Sequence, residues 1–501
     1  MKDPFKKHIV DPLFSVISSF PAKNAFFING VFYTYQQFGE HISKIRFALK
    51  ELPGDDIHIG LVANDDLETY ASIFALWLEG KAYIPLHPNQ PLDRLEDIIR
   101  QMNIRSVLDS GKTPRLFKHS VISTQTLVYS KDLLTNNVEA DRDRLAYVLF
   151  TSGSTGIPKG VTISRKNIGS FVDAFWESGV NLTEKDKCLQ CFDLTFDASV
   201  QSYLAPLLRG ACVYTVPHNQ IKYGYVYGLL EDHQLTCAVV APSLLRYLRP
   251  YFKEIRLPTL TNCILVGEAS PLDLITEWSN CIPNARIFDF YGPTEATIYC
   301  TYYEFKRDRE NKALFGMLCI GKEMKGTVTI VVDESQNILP QGEKGELCIS
   351  GDQVSPGYWN DAEKNSQSFF EKEYNGKMQR FYRTGDLSYR DNDGDLMLYG
   401  RLDSQAKIQG YRVELGEIEF HAREFLKGKN AVVITFANHL NNTELAIFVE
   451  GEEAIVPALI DHIKNKVPAY MVPTKVIAQH QLPLNANGKV DKKKLKEKIV
   501  L

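Results

Sequence analysis

The chain has 501 residues, more than one hydrophobic core usually holds, so at least two domains are expected. Its 44% apolar and 24% charged residues match an ordinary globular protein, and a net charge of −4 leaves no nucleic-acid footprint. Met1-Lys2-Asp3-Pro4-Phe5 lacks the apolar core of a signal peptide and no apolar run reaches membrane-spanning length, so a cytoplasmic protein without a membrane partner is expected. The nine cysteines are scattered. Cys188 and Cys191 have no second CxxC partner, which favours core thiols over a zinc site.

Residues 5–50 carry an amphipathic pattern, and Phe26-Phe27-Ile28-Asn29-Gly30-Val31-Phe32-Tyr33-Thr34-Tyr35 reads as two aromatic strands around an Asn-Gly turn. Ile57 to Val62 reads as a strand, followed by a helix from Leu67 to Leu78 that ends at Gly80. Strand–helix alternation continues to about residue 290, including Ala238-Val239-Val240 and Asn262-Cys263-Ile264-Leu265-Val266. This alternation predicts a largely parallel sheet covered by helices. Beyond about residue 315, short strands such as Val328 to Asp333 and Gly345 to Ser350, with turns such as Asp391 to Asp395, predict a β-rich subdomain. From Asp403 a small α+β unit is expected, with a helix from Leu415 to Phe425 and strands at Ala431 to Thr435 and Leu445 to Val449.

Chemistry concentrates in a few segments. Thr151-Ser152-Gly153-Ser154-Thr155-Gly156-Ile157-Pro158-Lys159-Gly160 follows an apolar strand and combines glycines, hydroxyls and a cation, which is the equipment for holding a polyphosphate. It is not a Walker A loop, because no Lys-Ser or Lys-Thr pair closes it. Phe196-Asp197-Ala198-Ser199 sets a carboxylate in apolar company. Tyr291-Gly292-Pro293-Thr294-Glu295 and Tyr382-Arg383-Thr384-Gly385-Asp386-Leu387 are acid-bearing turns. Gly400-Arg401-Leu402-Asp403 precedes Lys407-Ile408-Gln409-Gly410-Tyr411-Arg412-Val413-Glu414, and Asn487-Gly488-Lys489 lies near the end. Singly, each is an ordinary turn or a hydrogen-bonded acid. As an ordered set they are not.

Together these segments resemble, over nearly the whole chain, the adenylate-forming superfamily of acyl-CoA synthetases, luciferases and peptide-synthetase adenylation domains. Phe196-Asp197-Ala198-Ser199 is similar to the amino-acid-activating branch, and the length and the Pro468-Ala469-Tyr470-Met471-Val472-Pro473 segment resemble D-alanine–carrier protein ligases most. The resemblance implies an α/β fold: a large N-terminal domain of αβαβα-type sheets plus a β-rich subdomain over residues 1–402, and a small mobile α+β domain over 403–501 with a hinge at Asp403. It implies an AMP-forming ligase that uses ATP and Mg²⁺, first making an acyl-adenylate and then loading a phosphopantetheine thiol. Thr151, Ser152, Ser154, Thr155 and Lys159 would hold the β- and γ-phosphates, Thr294 the α-phosphate and Glu295 the metal. Tyr291 would stack on adenine, with Asp289 accepting from its amine and Gly267 and Glu268 beside it. Asp386, next to Arg401, would accept from both ribose hydroxyls. Lys489 would bridge the substrate carboxylate and the α-phosphate, then leave as the C-terminal domain turns. Lys407 and Gly410 would then line the pantetheine tunnel.

The resemblance also maps the acid pocket onto Asp197, Ala198, Gln201, Val239, Ile264, Val266, Phe290, Ile298 and Tyr299, with Lys489 at its mouth. Asp197 would pair the substrate ammonium, because a carboxylate in an apolar pocket needs a cationic partner. Phe290 and Tyr299 are bulky and should shorten the pocket, favouring a small or medium amino acid. Gln201 is the polar wall residue, open to binding a polar side chain or to satisfying its neighbours. Val266 stands where D-alanine ligases typically carry Cys, Ile298 and Tyr299 exceed their usual residues, and Leu194 replaces an expected His or Phe. D-alanine, L-proline, glycine, serine and other small amino acids therefore remain open, as does chirality. With no condensation or carrier segment in the sequence, the carrier is expected to be a separate protein. An acyl- or aryl-CoA ligase and a nucleotide-binding scaffold without turnover are the alternative readings.

Overall fold

The computed structural model describes residues 3–112, 117–128, 141–151, 158–217, 220–403, 405–483 and 490–499. Contacts divide the chain into two units: residues 1–88, 99–149 and 160–402 form the larger, and residues 89–98, 150–159 and 403–501 the smaller.

Among the described residues, the larger unit holds nine-, seven- and five-stranded sheets and a two-stranded ribbon, Ala313–Leu314 with Met317–Leu318. In a nine-stranded sheet, the strands Asn24–Ile28, Cys212–Thr215, Lys187–Gln190, Cys237–Val240, Asn262–Leu265 and Arg286–Tyr291 run parallel in that order, and antiparallel strands flank them at both edges. Within this sheet Val239 pairs with Ile264, which pairs with Phe288. The period of two then sends Val239, Ile264, Val266, Phe288 and Phe290 into one core and Ala238, Val240, Cys263, Leu265 and Ile287 into another. Both faces are covered, which is why these strands read as continuous apolar runs.

A seven-stranded sheet contains His58–Val62, Ala82–Leu86, Ser106–Asp109 and Leu145–Thr151, again with parallel pairs. Its Ile59, Leu61, Tyr83 and Tyr147 share a core with Phe26, Val213 and Val239 of the nine-stranded sheet and with the helices Tyr35–Lys50, Leu67–Leu78, Arg165–Glu177 and Asp197–Leu207. Local chemistry starts these helices. Thr34 and Gln37 form a capping box, Ser164 and Asn167 form another, and Asp66 accepts from the Thr69 N–H at 2.8 Å. The Asn29-Gly30 turn joins the strands Asn24–Ile28 and Val31–Thr34 with φ of +50° and +82°, the left-handed pair a two-residue hairpin needs. The β-rich part is a five-stranded antiparallel sheet that includes Thr327–Val332, Gly345–Gly351 and a 14-residue strand, Lys377–Arg390.

In the smaller unit the strands Ala431–Ala437 and Thr443–Glu450 pair antiparallel, and Lys475–Gln479 adds in parallel. The helix Leu415–Phe425 covers them through Leu415, Ile418 and Ala422. The segment 89–98 is anchored here, where Arg94 pairs with Glu417, a carboxylate with no exposed side-chain surface. All nine cysteines are buried and free. Among the described residues no helix is long and apolar enough to cross a membrane.

Candidate active site

Strand ends bring the larger unit's motif residues together. Arg286–Tyr291 delivers Asp289, Phe290 and Tyr291, all buried. Asp289 accepts from the Ser270 hydroxyl at 3.0 Å. After the strand Asn262–Leu265, Gly267 adopts φ +81°, and the Glu268 carboxylate that follows accepts from the Ser243 N–H at 2.9 Å. Glu268 thus holds a free N–H in the first turn of the helix Pro242–Leu248, a structural duty its position in the motif did not reveal.

Asp386 lies on the long strand directly across from Arg401. Arg401 Nη1 donates to one Asp386 carboxylate oxygen at 2.8 Å, and its Nη2 donates to the Thr384 carbonyl at 3.0 Å. The Tyr291 hydroxyl donates to the other Asp386 oxygen at 2.5 Å. Burial, reinforced by the Asp386 carboxylate, pushes the Tyr291 phenol well above its usual range and keeps it a donor. The ring expected to stack on adenine is therefore pinned edge-on to the acid expected to take the ribose. Each Asp386 oxygen keeps acceptor capacity beside the bond it already has.

The turn after Tyr291 owes its shape to close backbone approach. A Cβ on Gly292 would lie 2.6 Å from Tyr299 Cα and 2.7 Å from the Ile298 carbonyl oxygen. Thr294 opens a short 3-10 turn, and Glu295, 1% exposed, accepts from the Tyr358 hydroxyl at 2.5 Å. Thr297 and Ile298 then sit at φ +56° and +74°, a region costly for β-branched residues. Gln353 holds this segment: its backbone carbonyl accepts from the Thr297 hydroxyl at 2.5 Å, and its side-chain amide donates to the Tyr299 carbonyl at 2.6 Å. Backbone strain thus falls at two of the residues mapped to the pocket wall or next to it.

Asp197 is the first residue of the helix Asp197–Leu207, half-buried, where the helix dipole favours its charge. Ala198, Val239, Ile264, Val266, Phe290, Ile298 and Tyr299 all belong to one core cluster, which extends well beyond them. Phe290 and Tyr299 pack at 5.3 Å between ring centroids. Gln201, one turn beyond Asp197, is 1% exposed.

A half-buried polar network lies just before this segment, around Asp193. His87 Nε2 pairs with Asp193 at 2.7 Å, and Asp193 also accepts from the Thr195 N–H and hydroxyl at 2.9 and 2.8 Å. Burial alone would raise the Asp193 carboxyl, but the His87 and Thr195 contacts outweigh it and hold it down to about 2. Nearby, Gln190 donates to the Phe192 carbonyl at 2.8 Å, and the Tyr70 hydroxyl donates to Asp65. The only sequence signal is the acid and the hydroxyl of Asp193-Leu194-Thr195.

In the smaller unit, Thr151 ends one strand and Lys159 begins the next. Ser152, Ser154, Thr155 and Lys489 lie outside the described residues. Lys407 belongs to the hairpin Gln405–Ile408 with Tyr411–Glu414, opposite Arg412. Gln409 and Gly410 turn that hairpin at φ +51° and +84°, so the turn itself accounts for the glycine. Tyr411 stacks on Tyr470 at 4.1 Å, and the Asp403 carboxylate accepts from the Gln405 N–H at 3.1 Å.

Comparison with known proteins matches residues 13–359 to the AMP-binding enzyme family. The chain is 33% identical to the D-alanine–D-alanyl carrier protein ligase of Bacillus licheniformis, over 86% of this chain and 87% of that one. It is 30% identical to tyrocidine synthase 1 of Brevibacillus parabrevis over 96% of this chain, and it spans less than half the length of this and similar peptide-synthase relatives. The fold is that of the Vibrio cholerae adenylation domain AlmE, solved with glycyl-adenosine-5'-phosphate, at a TM-score of 0.83, 24% identity and 97% and 96% coverage of the two chains. With its α/β fold, its Tyr-Gly-Pro-Thr-Glu turn and its Tyr- and Arg-bound aspartate, the chain belongs to the AMP-binding enzyme family.

Proposed function

We propose that this chain is an AMP-forming ligase that activates a small or medium amino acid with ATP and passes it to the phosphopantetheine thiol of a separate carrier protein. The observation that carries the reading is Asp197, an acid at the start of a helix whose following residues, Ala198 to Leu207, are buried and uncharged. An acid at this position suits a substrate that brings its own ammonium group, as an amino acid does and an acyl or aryl acid does not. Likeness to a D-alanyl carrier protein ligase over most of both chains supports the amino acid and the separate carrier alike.

In the first step an oxygen of the amino-acid carboxylate attacks the α-phosphorus of ATP and pyrophosphate leaves. Attack of anion on anion needs donors and positive charge placed beforehand. Thr151, Ser152, Ser154, Thr155 and Lys159 supply them to the phosphates, Thr294 to the α-phosphate and Lys489 to the reacting oxygens. Asp386 orients the ribose through its remaining acceptor capacity, held in place by Arg401 and Tyr291. Asp289 faces the adenine amine, with Gly267 and Glu268 beside the base.

Glu295 fits Mg²⁺: a buried carboxylate with one oxygen steadied by Tyr358 is a hard donor, and Mg²⁺ is commonly held by one or two carboxylates plus substrate phosphates. The bound ion would neutralise phosphate charge. In the second step the thiol sulfur attacks the acyl carbon and AMP departs, after rotation at Asp403 withdraws Lys489 and brings Lys407 and Gly410 to the pantetheine arm. The nine free thiols suit a reducing compartment such as the cytoplasm.

The test is ATP–pyrophosphate exchange across L- and D-amino acids, followed by loading of a phosphopantetheinylated carrier. Exchange dependent on an amino acid is expected. Exchange supported only by fatty or aryl acids would overturn the reading.

A further inference from the structure

Resting on the proposed amino-acid activation, the pocket carries information about the side chain that it accepts. Gln201 is 1% exposed, and neither its amide nitrogen nor its amide oxygen has a hydrogen-bond partner. The Tyr299 hydroxyl, on a residue 3% exposed, and the Tyr147 hydroxyl, on a residue with no exposed surface, also lack partners. A buried polar atom left unpaired is costly, and native structures keep few of them without a reason. Tyr83 and Tyr203 show the contrast in the same core, since their hydroxyls meet at 3.3 Å.

These orphaned groups gather around one acid. Gln201 follows Asp197 by one helical turn, on the same face and about 6 Å along the axis. Tyr299 and Tyr147 lie within electrostatic reach of Asp197, whose charge adds to burial in raising both phenols and so keeps both hydroxyls protonated. An amino acid with its ammonium at Asp197 therefore directs its side chain toward a neutral amide and phenols that can each donate and accept.

We infer that the pocket selects an amino acid whose side chain is neutral and hydrogen-bonding, a hydroxyl or a carboxamide, read by Gln201 and Tyr299 with Tyr147 beside them. Glycine, alanine or an aliphatic residue would seal the orphaned atoms under the substrate without satisfying them. A second charge would enter a pocket whose charged group is already engaged by the α-ammonium.

The test measures ATP–pyrophosphate exchange for the full chain with shape-matched pairs in both chiralities: threonine against valine, serine against 2-aminobutyrate, asparagine against leucine. A site built to hydrogen-bond its substrate rejects the apolar twin strongly, so kcat/KM should favour the polar member of the best pair by about 100-fold or more. Gln201→Met, which keeps the side chain's length, should cut that ratio at least about tenfold, chiefly through the KM of the polar substrate. Tyr299→Phe, which removes one hydroxyl, should lower it too. An apolar member preferred by the wild-type chain, or a ratio unmoved in both variants, overturns the inference while amino-acid activation stands. If no amino acid supports exchange, both fall. Should a variant fail to fold, the wild-type ratio alone decides.

Discussion

Gly292 offers the sharpest structural test, because two backbone segments meet on it. Gly292→Ala would put a methyl 2.6 Å from Tyr299 Cα, 2.7 Å from the Ile298 oxygen and 3.0 Å from the Cys300 nitrogen. These are backbone atoms, and the Cys300 N–H is tied to the Tyr291 carbonyl at 2.8 Å, so the segment can retreat only by weakening that bond. Overpacking of this kind costs about 1–3 kcal/mol. With an unfolding entropy of about 2.1 cal/mol/K per residue, 1 kcal/mol is worth about 1 °C in a chain this long, so a fall of about 1–3 °C in Tm is expected. The displaced segment carries Ile298 and Tyr299. A misplacement of a few tenths of an ångström there should cost about tenfold in kcat/KM for pyrophosphate exchange, given that about 1 Å can cost a hundredfold. Gly54→Ala is the control: it is exposed, and its added methyl would meet nothing within 4 Å. Scanning calorimetry and exchange kinetics on both variants decide the matter. A Gly292→Ala chain that melts and turns over like Gly54→Ala would refute the close approach.

Lys489→Ala should slow pyrophosphate exchange by about a hundredfold or more, the loss expected for one transition-state donor, and a rate within a few fold of wild type would remove that role. Asp403→Pro, by fixing φ, should impair carrier loading more than adenylation; gel-based loading beside exchange assays reads the difference, and equal losses count against a hinge. The pH dependence of stability should report Asp193. Its carboxyl is held from the usual 3.8 down to about 2, so its contribution of about 2 kcal/mol is present above pH 4 and lost as pH falls through 2. The stability gap between wild type and Asp193→Asn, from denaturant titrations, should therefore shrink between pH 5 and pH 2. A gap independent of pH would mean that the His87 contact does not hold the charged form.

Much of this site is legible in the sequence wherever a short segment carries its own backbone requirement. Asn29-Gly30 announces a two-residue hairpin, and Tyr-Gly-Pro-Thr-Glu announces a turn, at which the structure adds the close backbone approach of Gly292. The continuous apolar runs at Val239 and Ile264 fit strands buried on both faces, which the split of their side chains between two cores explains. Contacts between distant segments are not legible. Nothing in Tyr291 or Asp386 alone says that the phenol donates to the acid, and His87 gives no sign of Asp193. The 14-residue strand Lys377–Arg390 was obscured by the Thr-Gly-Asp turn signal within it, where Gly385 takes φ +70° while pairing continues around it. At Gly410 the backbone adds a reason of its own for glycine, the left-handed turn of the hairpin at φ +84°, which the resemblance did not announce. Gln201 could be read either as a satisfied wall residue or as a reader of the substrate. Only the packing shows both of its amide atoms without partners.

The most direct test is a crystal structure grown with ATP, Mg²⁺ and the amino acid that drives exchange. The account predicts the ribose hydroxyls within hydrogen-bonding distance of Asp386, the adenine against Tyr291 and the substrate ammonium on Asp197. Nucleotide bound elsewhere, or an amino acid whose ammonium lies away from Asp197, would contradict it.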